Sequence, residues 1–144
     1  MVQYRGITRG MRLNDVADEL SRDIVDLKRD VLTSTAEVIA QTSPVDTGTY
    51  ARSHRVGLRS GSFKASVSIP DGAPRNVSPG PPRSEGLSEM MAGIASVDLT
   101  SDNIVFRNIS THARYVEARD MVYAAARREI GSIIQDALMR ARSR

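Results

Sequence analysis

Two histidines, His54 and His112, are the side chains best placed by chemistry to move a proton near neutrality, and Asp46, Asp98, Asp102 and Glu117 are the carboxylates a cation would seek. Neither histidine lies in a nucleophile-elbow context, and the chain has no cysteine to act as a thiolate. The spacing of the four carboxylates does not converge them on one helix face. Two histidines are too few for a histidine-built metal site, and without cysteine neither a thiolate zinc site nor a disulfide framework can form. Gly57, Gly61 and Gly72 lack the strand-to-helix setting and the lysine of a phosphate-binding loop. The residues carry no catalytic constellation, and no cofactor or metal is expected.

Arginine is the remaining chemistry. The chain has 20 basic residues against 17 acidic ones, for a net charge of +3, and only Lys28 and Lys64 are lysines. Arginine suits bidentate contact with carboxylate or phosphate. Its distribution is uneven: Arg5, Arg9 and Arg12 face no acid in residues 1–13, and Arg140, Arg142 and Arg144 end the chain, while the long segment between Asn14 and Gln41 is acidic. Together with Arg75 and Arg83, these six are candidates for contact with a neighbouring subunit or with DNA. With four Tyr, two Phe and no Trp, there is no interleaving of aromatic and basic residues to stack bases, so any DNA contact is expected to be unspecific and salt-sensitive.

The elements that must carry these residues follow from periodicity. Val16, Leu20, Ile24, Leu27, Val31 and Val38 fall on one stripe, which predicts an amphipathic helix over 14–41 that is capped by Asn14 or Asp15 and stopped at Thr42-Ser43-Pro44. At ~1.5 Å per residue it is about 40 Å long, more than a chain of this size needs for its own core. Asp46-Thr47-Gly48 turns the chain, and Thr49–His54 is a single helical turn. Alternation over 55–59 and 63–69, around Ser60-Gly61-Ser62, predicts a hairpin ended by Pro70. Residues 71–86 hold three glycines and four prolines and read as a long exposed loop that orders against a neighbour. A short helix over 87–94, capped by Ser84 or Ser88, precedes a strand over 104–109 at the centre of the sheet. A second amphipathic helix runs from Asp120.

A length of 144 residues fits one domain, 1–144, with a basic arm at 1–13 and a basic tail at 139–144. The expected fold is α+β: the two long helices packed on an antiparallel sheet of three to four strands. No apolar run is long enough for a membrane span, and residues 1–12 lack the apolar centre of a signal peptide, so a cytoplasmic site of synthesis and assembly is expected.

Two stretches carry a family resemblance. Ser43-Pro44-Val45-Asp46-Thr47-Gly48-Thr49-Tyr50-Ala51-Arg52-Ser53 resembles the turn that follows the first long helix in tail-completion, or neck, proteins of long-tailed bacteriophages, the lambda minor tail protein Z group. Ile104-Val105-Phe106-Arg107-Asn108, followed by Ala113-Arg114-Tyr115-Val116-Glu117, is similar to that family's hydrophobic strand, asparagine and tyrosine-to-glutamate segment. The order and spacing hold from about Val16 to Leu138. Where the family has a glycine and a longer loop after the glutamate, this chain has Ala118-Arg119-Asp120.

The resemblance implies a non-enzymatic virion protein that assembles in the host cytoplasm into a homo-oligomeric ring, hexameric by analogy with tail symmetry. Its implied partners are head-closure proteins on one side and tail terminator or tube proteins on the other, around packaged double-stranded DNA. A tail terminator capping the tube is the alternative within the class, and a small basic DNA-binding regulator is the alternative outside it. Pro44, Asp46, Thr47, Gly48, Asn108, Tyr115 and Glu117 are the motif residues. Their chemistry suggests that Asp46 and Thr47 bond nearby backbone N–H groups, that Tyr115 lays its ring on the sheet, and that Glu117 pairs with Arg52 or Arg55.

Overall fold

The stripe over 14–41 forms helix α1, Leu13–Thr42, within one residue of expectation at each end. The computed structural model describes residues 13–61, 63 and 66–143. The expectations for Arg5, Arg9, Arg12 and Arg144, and for Lys64 and Ala65 in the hairpin, lie outside the described residues. Thr35 does not break α1, because its hydroxyl donates back to the Val31 carbonyl at 2.8 Å and so can be buried. After α1 come α2 (Thr49–Arg52), strand β1 (His54–Leu58), α3 (Gly80–Ser96), strand β2 (Ile104–Asn108), α4 (Ala113–Asp120) and α5 (Val122–Arg142).

The fold is α+β, with five helices and one antiparallel sheet among the described residues. Among the described residues the sheet has two strands rather than three or four, so β2 has no second full neighbour and does not occupy a centre. β1 pairs with β2 in the register His54 opposite Asn108 through Leu58 opposite Ile104. The expected hairpin is therefore corrected: β1 takes a partner about fifty residues away, and the 63–69 segment contributes one parallel bridge between Val67 and Ser110. Phe63 explains the choice. Its ring lies over Gly57 and under the Arg107 guanidinium, 4.6 Å from the ring centroid, so it covers a face of the ladder instead of extending an edge.

The exposed loop expected over 71–86 is also corrected, since residues from Gly80 on belong to α3. Proline is tolerated in a first helical turn, where its missing N–H would have no partner anyway, and Pro81 and Pro82 sit there. Pro82 and Gly86 are buried. Neither Ser84 nor Ser88 caps this helix; Pro79 holds the cap position. Glycine lets α3 approach β1 and α2 closely: Gly86 lies against the Ala51 carbonyl and Gly93, seven residues on, against the Val56 carbonyl.

The core is built where the last turns of α1 (Ala36, Ile39, Ala40) meet Tyr50, Val56, Met90, Ile94, Val116, Val122 and Ala126. α5 runs back along α1, and Arg140 closes the pair with a bidentate bond to Asp30, at 3.0 and 2.7 Å. α5 ends two residues later, so the front of α1 projects beyond it. Between Asp18 and Ser34 no residue is buried, and the outermost hydrogen bond from α1 to the body among the described residues is that of Lys28 Nζ to the Ser101 carbonyl. The fifteen residues Leu13–Leu27 thus form an overhang about 22 Å long.

Candidate functional site

Where α1 ends, the turn after it and Asn108 of β2 meet around a buried imidazole, His54. Pro44 follows the last turn of α1, and Gly48, at φ 91°, supplies the left-handed turn that starts α2. Ser43, just before the proline, is fully buried; its hydroxyl donates to the Ile39 carbonyl at 2.6 Å and accepts from His54 Nε2 at 2.7 Å. With the Nε2 proton so placed, His54 Nδ1 is an acceptor for the Tyr123 hydroxyl at 2.8 Å and faces Asn108 Nδ2 at 3.2 Å. The strand register carries Asn108 to this position, opposite His54. Its amide also donates to the Tyr50 carbonyl at 2.8 Å and accepts from the Ser110 N–H at 3.0 Å. One network therefore ties α1, α2, β1, β2 and α5 together.

This network does not perform nucleophilic chemistry. A serine and a histidine within hydrogen-bond reach look like a nucleophile and its base, but both are fully buried and the serine proton is committed to Ile39. Burial, reinforced by the charge of Arg55, pushes the His54 pKa down to about 4 and keeps the ring neutral. Burial also raises the Tyr123 and Tyr50 hydroxyls far above their ordinary value, with the nearby Glu117 carboxylate adding to both. His112, whose pKa is lowered mainly by burial, lies 6.4 Å from the Tyr50 ring. The Tyr50 hydroxyl and His112 Nδ1 are buried without a hydrogen-bond partner among the described residues, beside α4. Among those residues no group of three His, Asp or Glu side chains could hold a metal ion, and no helix is long and apolar enough to cross a membrane.

The other motif residues fasten the corner from outside. Asp46 reaches across to the 71–79 segment, where it accepts from Arg75 at 2.6 Å and from the Asn76 N–H at 2.9 Å, while its own carbonyl accepts from Val77. Thr47 Oγ1 accepts from the Thr49 N–H at 3.4 Å, a local bond of the kind expected. Glu117 is placed differently from expectation. It pairs with neither Arg52, which binds Glu85, nor Arg55, which lies 3.7 Å from Glu89. Its two carboxylate oxygens instead accept the Tyr123 and Ala124 N–H groups, at 3.0 and 3.1 Å, at the start of α5, where the helix dipole favours negative charge. A one-residue interruption of the helix between α4 and α5 makes this possible; Met121 takes φ 51° there.

Tyr115 does not lay its ring on the sheet, for it is 74% exposed. Of the arginine candidates, Arg75 is held by Asp46, Arg140 by Asp30, and Arg83 Nε donates to the Ser43 carbonyl at 3.0 Å, satisfying the end of α1. These three fasten the chain to itself. Arg142 is exposed at the last turn of α5. Two open grooves, about 440 and 500 Å³, both include Arg52 and Arg55 in their walls, but the carboxylates of Glu85 and Glu89 occupy those guanidinium groups.

Sequence reasoning found Asn108 and Glu117 and missed Ser43, His54 and Tyr123 as partners, because nothing in a polar local context marks a histidine as buried. Replacing Glu117 with alanine should destabilise the fold by about 1–2 kcal/mol through the loss of two charge-assisted cap bonds, and so lower the melting temperature; Asp46→Ala should lower it less because its partners are exposed. Thermal unfolding followed by circular dichroism measures both; unchanged melting would move these residues from the fold to an interface. No family model, curated protein or solved structure matches the chain.

Proposed function

We propose that this chain is a structural protein of the phage neck, one subunit of a ring that joins the head-closure complex to the tail around the DNA channel. The observation that carries the reading is the α1 overhang: about half of the longest helix projects past the body with Ile24 52% exposed on its apolar stripe. A helix with an apolar stripe on one side and charge on the other is stabilised in water by covering that stripe, and a neighbouring subunit is the natural cover. Supporting it is the sequence resemblance around the turn after α1; the corner after Glu117, where the chain departs from the family pattern, adds no support. Catalysis is not part of the reading, since the Ser43–His54 pair is sealed in the core.

The same reading keeps a third strand for the assembled state. Val67 already exchanges bonds with Ile109 and Thr111, and contact with a neighbour would lengthen that bridge. Arg142, exposed at the last turn of α5, would then face the channel, where unspecific phosphate contact suffices.

Sedimentation velocity across a concentration series, with electron microscopy of the heaviest species, is the test. The expected result is concentration-dependent association into closed rings that bind a head-closure protein. Rings that bind only tail-tube protein would make the chain a terminator. A monomer that co-elutes with a DNA duplex, and loses it as salt rises, would replace the virion reading with a regulatory one.

A further inference from the structure

We infer that the α1 overhang of one copy docks on the elbow between α4 and α5 of the next copy, a heterologous head-to-tail contact; the inference rests on the ring proposed above. The overhang offers Ile24, 52% exposed, with the half-buried Leu20 and Leu27 beside it at steps of four and three, one narrow apolar face. Around that face the charge is acidic on balance: Asp18, Glu19, Asp23 and Asp26 against Arg22 and Arg29, the last of which binds Asp26 at 3.0 Å.

The elbow is its complement in both respects. Tyr115 and Met121, 74% and 49% exposed, form the apolar part, and Tyr, Met and Arg are the residue types that interface centres favour. Arg114, Arg119, Arg127 and Arg128 are exposed on α4 and the first turns of α5, against exposed Asp120 and Glu129, with Arg119 bound to Asp120 at 2.8 Å; Glu117 is turned inward to the α5 cap, so the elbow keeps a basic excess. Tyr115 and Arg119 are four residues apart and share a face of α4.

Three features show that the elbow is poorly finished in a lone chain. Met121 holds a left-handed conformation that ordinary side chains rarely adopt. Beside α4 the Tyr50 hydroxyl and His112 Nδ1 are buried without a partner among the described residues. Only Val116 of α4 is buried. Position completes the case. Tyr123, at the elbow, reaches the His54 network at the C-terminal end of α1, so the acidic and basic patches lie at opposite ends of that helix, about 27 Å apart between Ile24 and Thr42. Complementary patches at opposite ends cannot satisfy each other within one copy. They propagate from copy to copy, and such contacts close into rings when the rotation allows.

The absence of cysteine makes the test clean. Ile24→Cys and Tyr115→Cys variants are purified separately, mixed, and treated with a short bismaleimide. A mixed covalent dimer that neither variant forms alone is expected, as is a ladder of multimers from the double variant. Ile24→Arg and Tyr115→Glu should each weaken self-association about tenfold while leaving the melting temperature unchanged, since both side chains are exposed. Association of the wild type should weaken as salt rises. Wild-type association that survives both charge variants, with no mixed dimer, overturns this contact and leaves the ring standing. Cross-linking of Ile24→Cys to itself overturns it in favour of a two-fold contact. A wild type that never associates removes the ring itself.

Discussion

Gly86→Ala should cost this protein about 3 kcal/mol or more, the upper end of what overpacking a core costs, and lower its melting temperature by about 10 °C. A β-carbon at this position would overlap the Ala51 carbonyl oxygen and touch the His54 ring, and neither is the end of a flexible side chain. α3 would have to lift from α2 and β1, and Gly93, which needs the same close approach to the Val56 carbonyl, would lose its seat with it. Gly131 is the control. It lies in α5 with nothing within 4 Å of an added β-carbon, so Gly131→Ala should stabilise by up to about 1 kcal/mol through helix propensity alone. Melts of the two variants beside the wild type decide the matter; equal melting temperatures would mean that α3 is not packed as described.

Acid should destabilise the fold through His54 at pH values where most carboxylates are still ionised. Its pKa falls from an ordinary 6.5 to about 4 on folding, chiefly by burial. Above pH 6.5 both folded and unfolded states hold the ring neutral, so its contribution to stability is fully present. As the pH falls below that value the unfolded chain takes up a proton that the folded chain refuses, and stability declines until the folded ring also titrates near pH 4. The loss over that window is about 3 kcal/mol. His112, also lowered by burial, contributes with the same sign. Urea unfolding at a series of pH values should show this slope, and His54→Gln should flatten it while lowering stability at neutral pH, because Tyr123 and Asn108 lose their acceptor. An unaltered slope in the variant would assign the acid sensitivity to other groups.

The two long helices were legible because their apolar residues repeat at helical spacing over more than five turns, and tertiary contacts had only to agree. α3 was half legible. Pro79-Gly80-Pro81-Pro82 and Gly86 have the composition of a loop, yet the prolines occupy a helix start and Gly86 is needed for its lack of a side chain rather than for its backbone freedom. Composition does not separate those uses. α4 went unread because Val116 is its one buried side chain, too few to set a period. The pairing of β1 was misread for a different reason: alternation tells which face of a strand is apolar but not which distant strand will meet it, and a nearby segment looked like the cheaper partner. At the site, Pro44, Asp46 and Gly48 could be read as a turn from residue type alone. The Ser43–His54–Tyr123 chain could not, since its members are 11 and 69 residues apart and each is unremarkable where it stands.

The clasp between Asp30 and Arg140 has a further consequence, for synthesis. α1 emerges from the ribosome early, while the helix it packs along is translated about eighty residues later. At typical elongation rates that is several seconds during which α1 is made but uncovered. On a crowded polysome, nascent α1 segments would meet one another before meeting α5. The acidic excess along α1 would make such encounters repulsive, by like charge, until each chain has finished its own body.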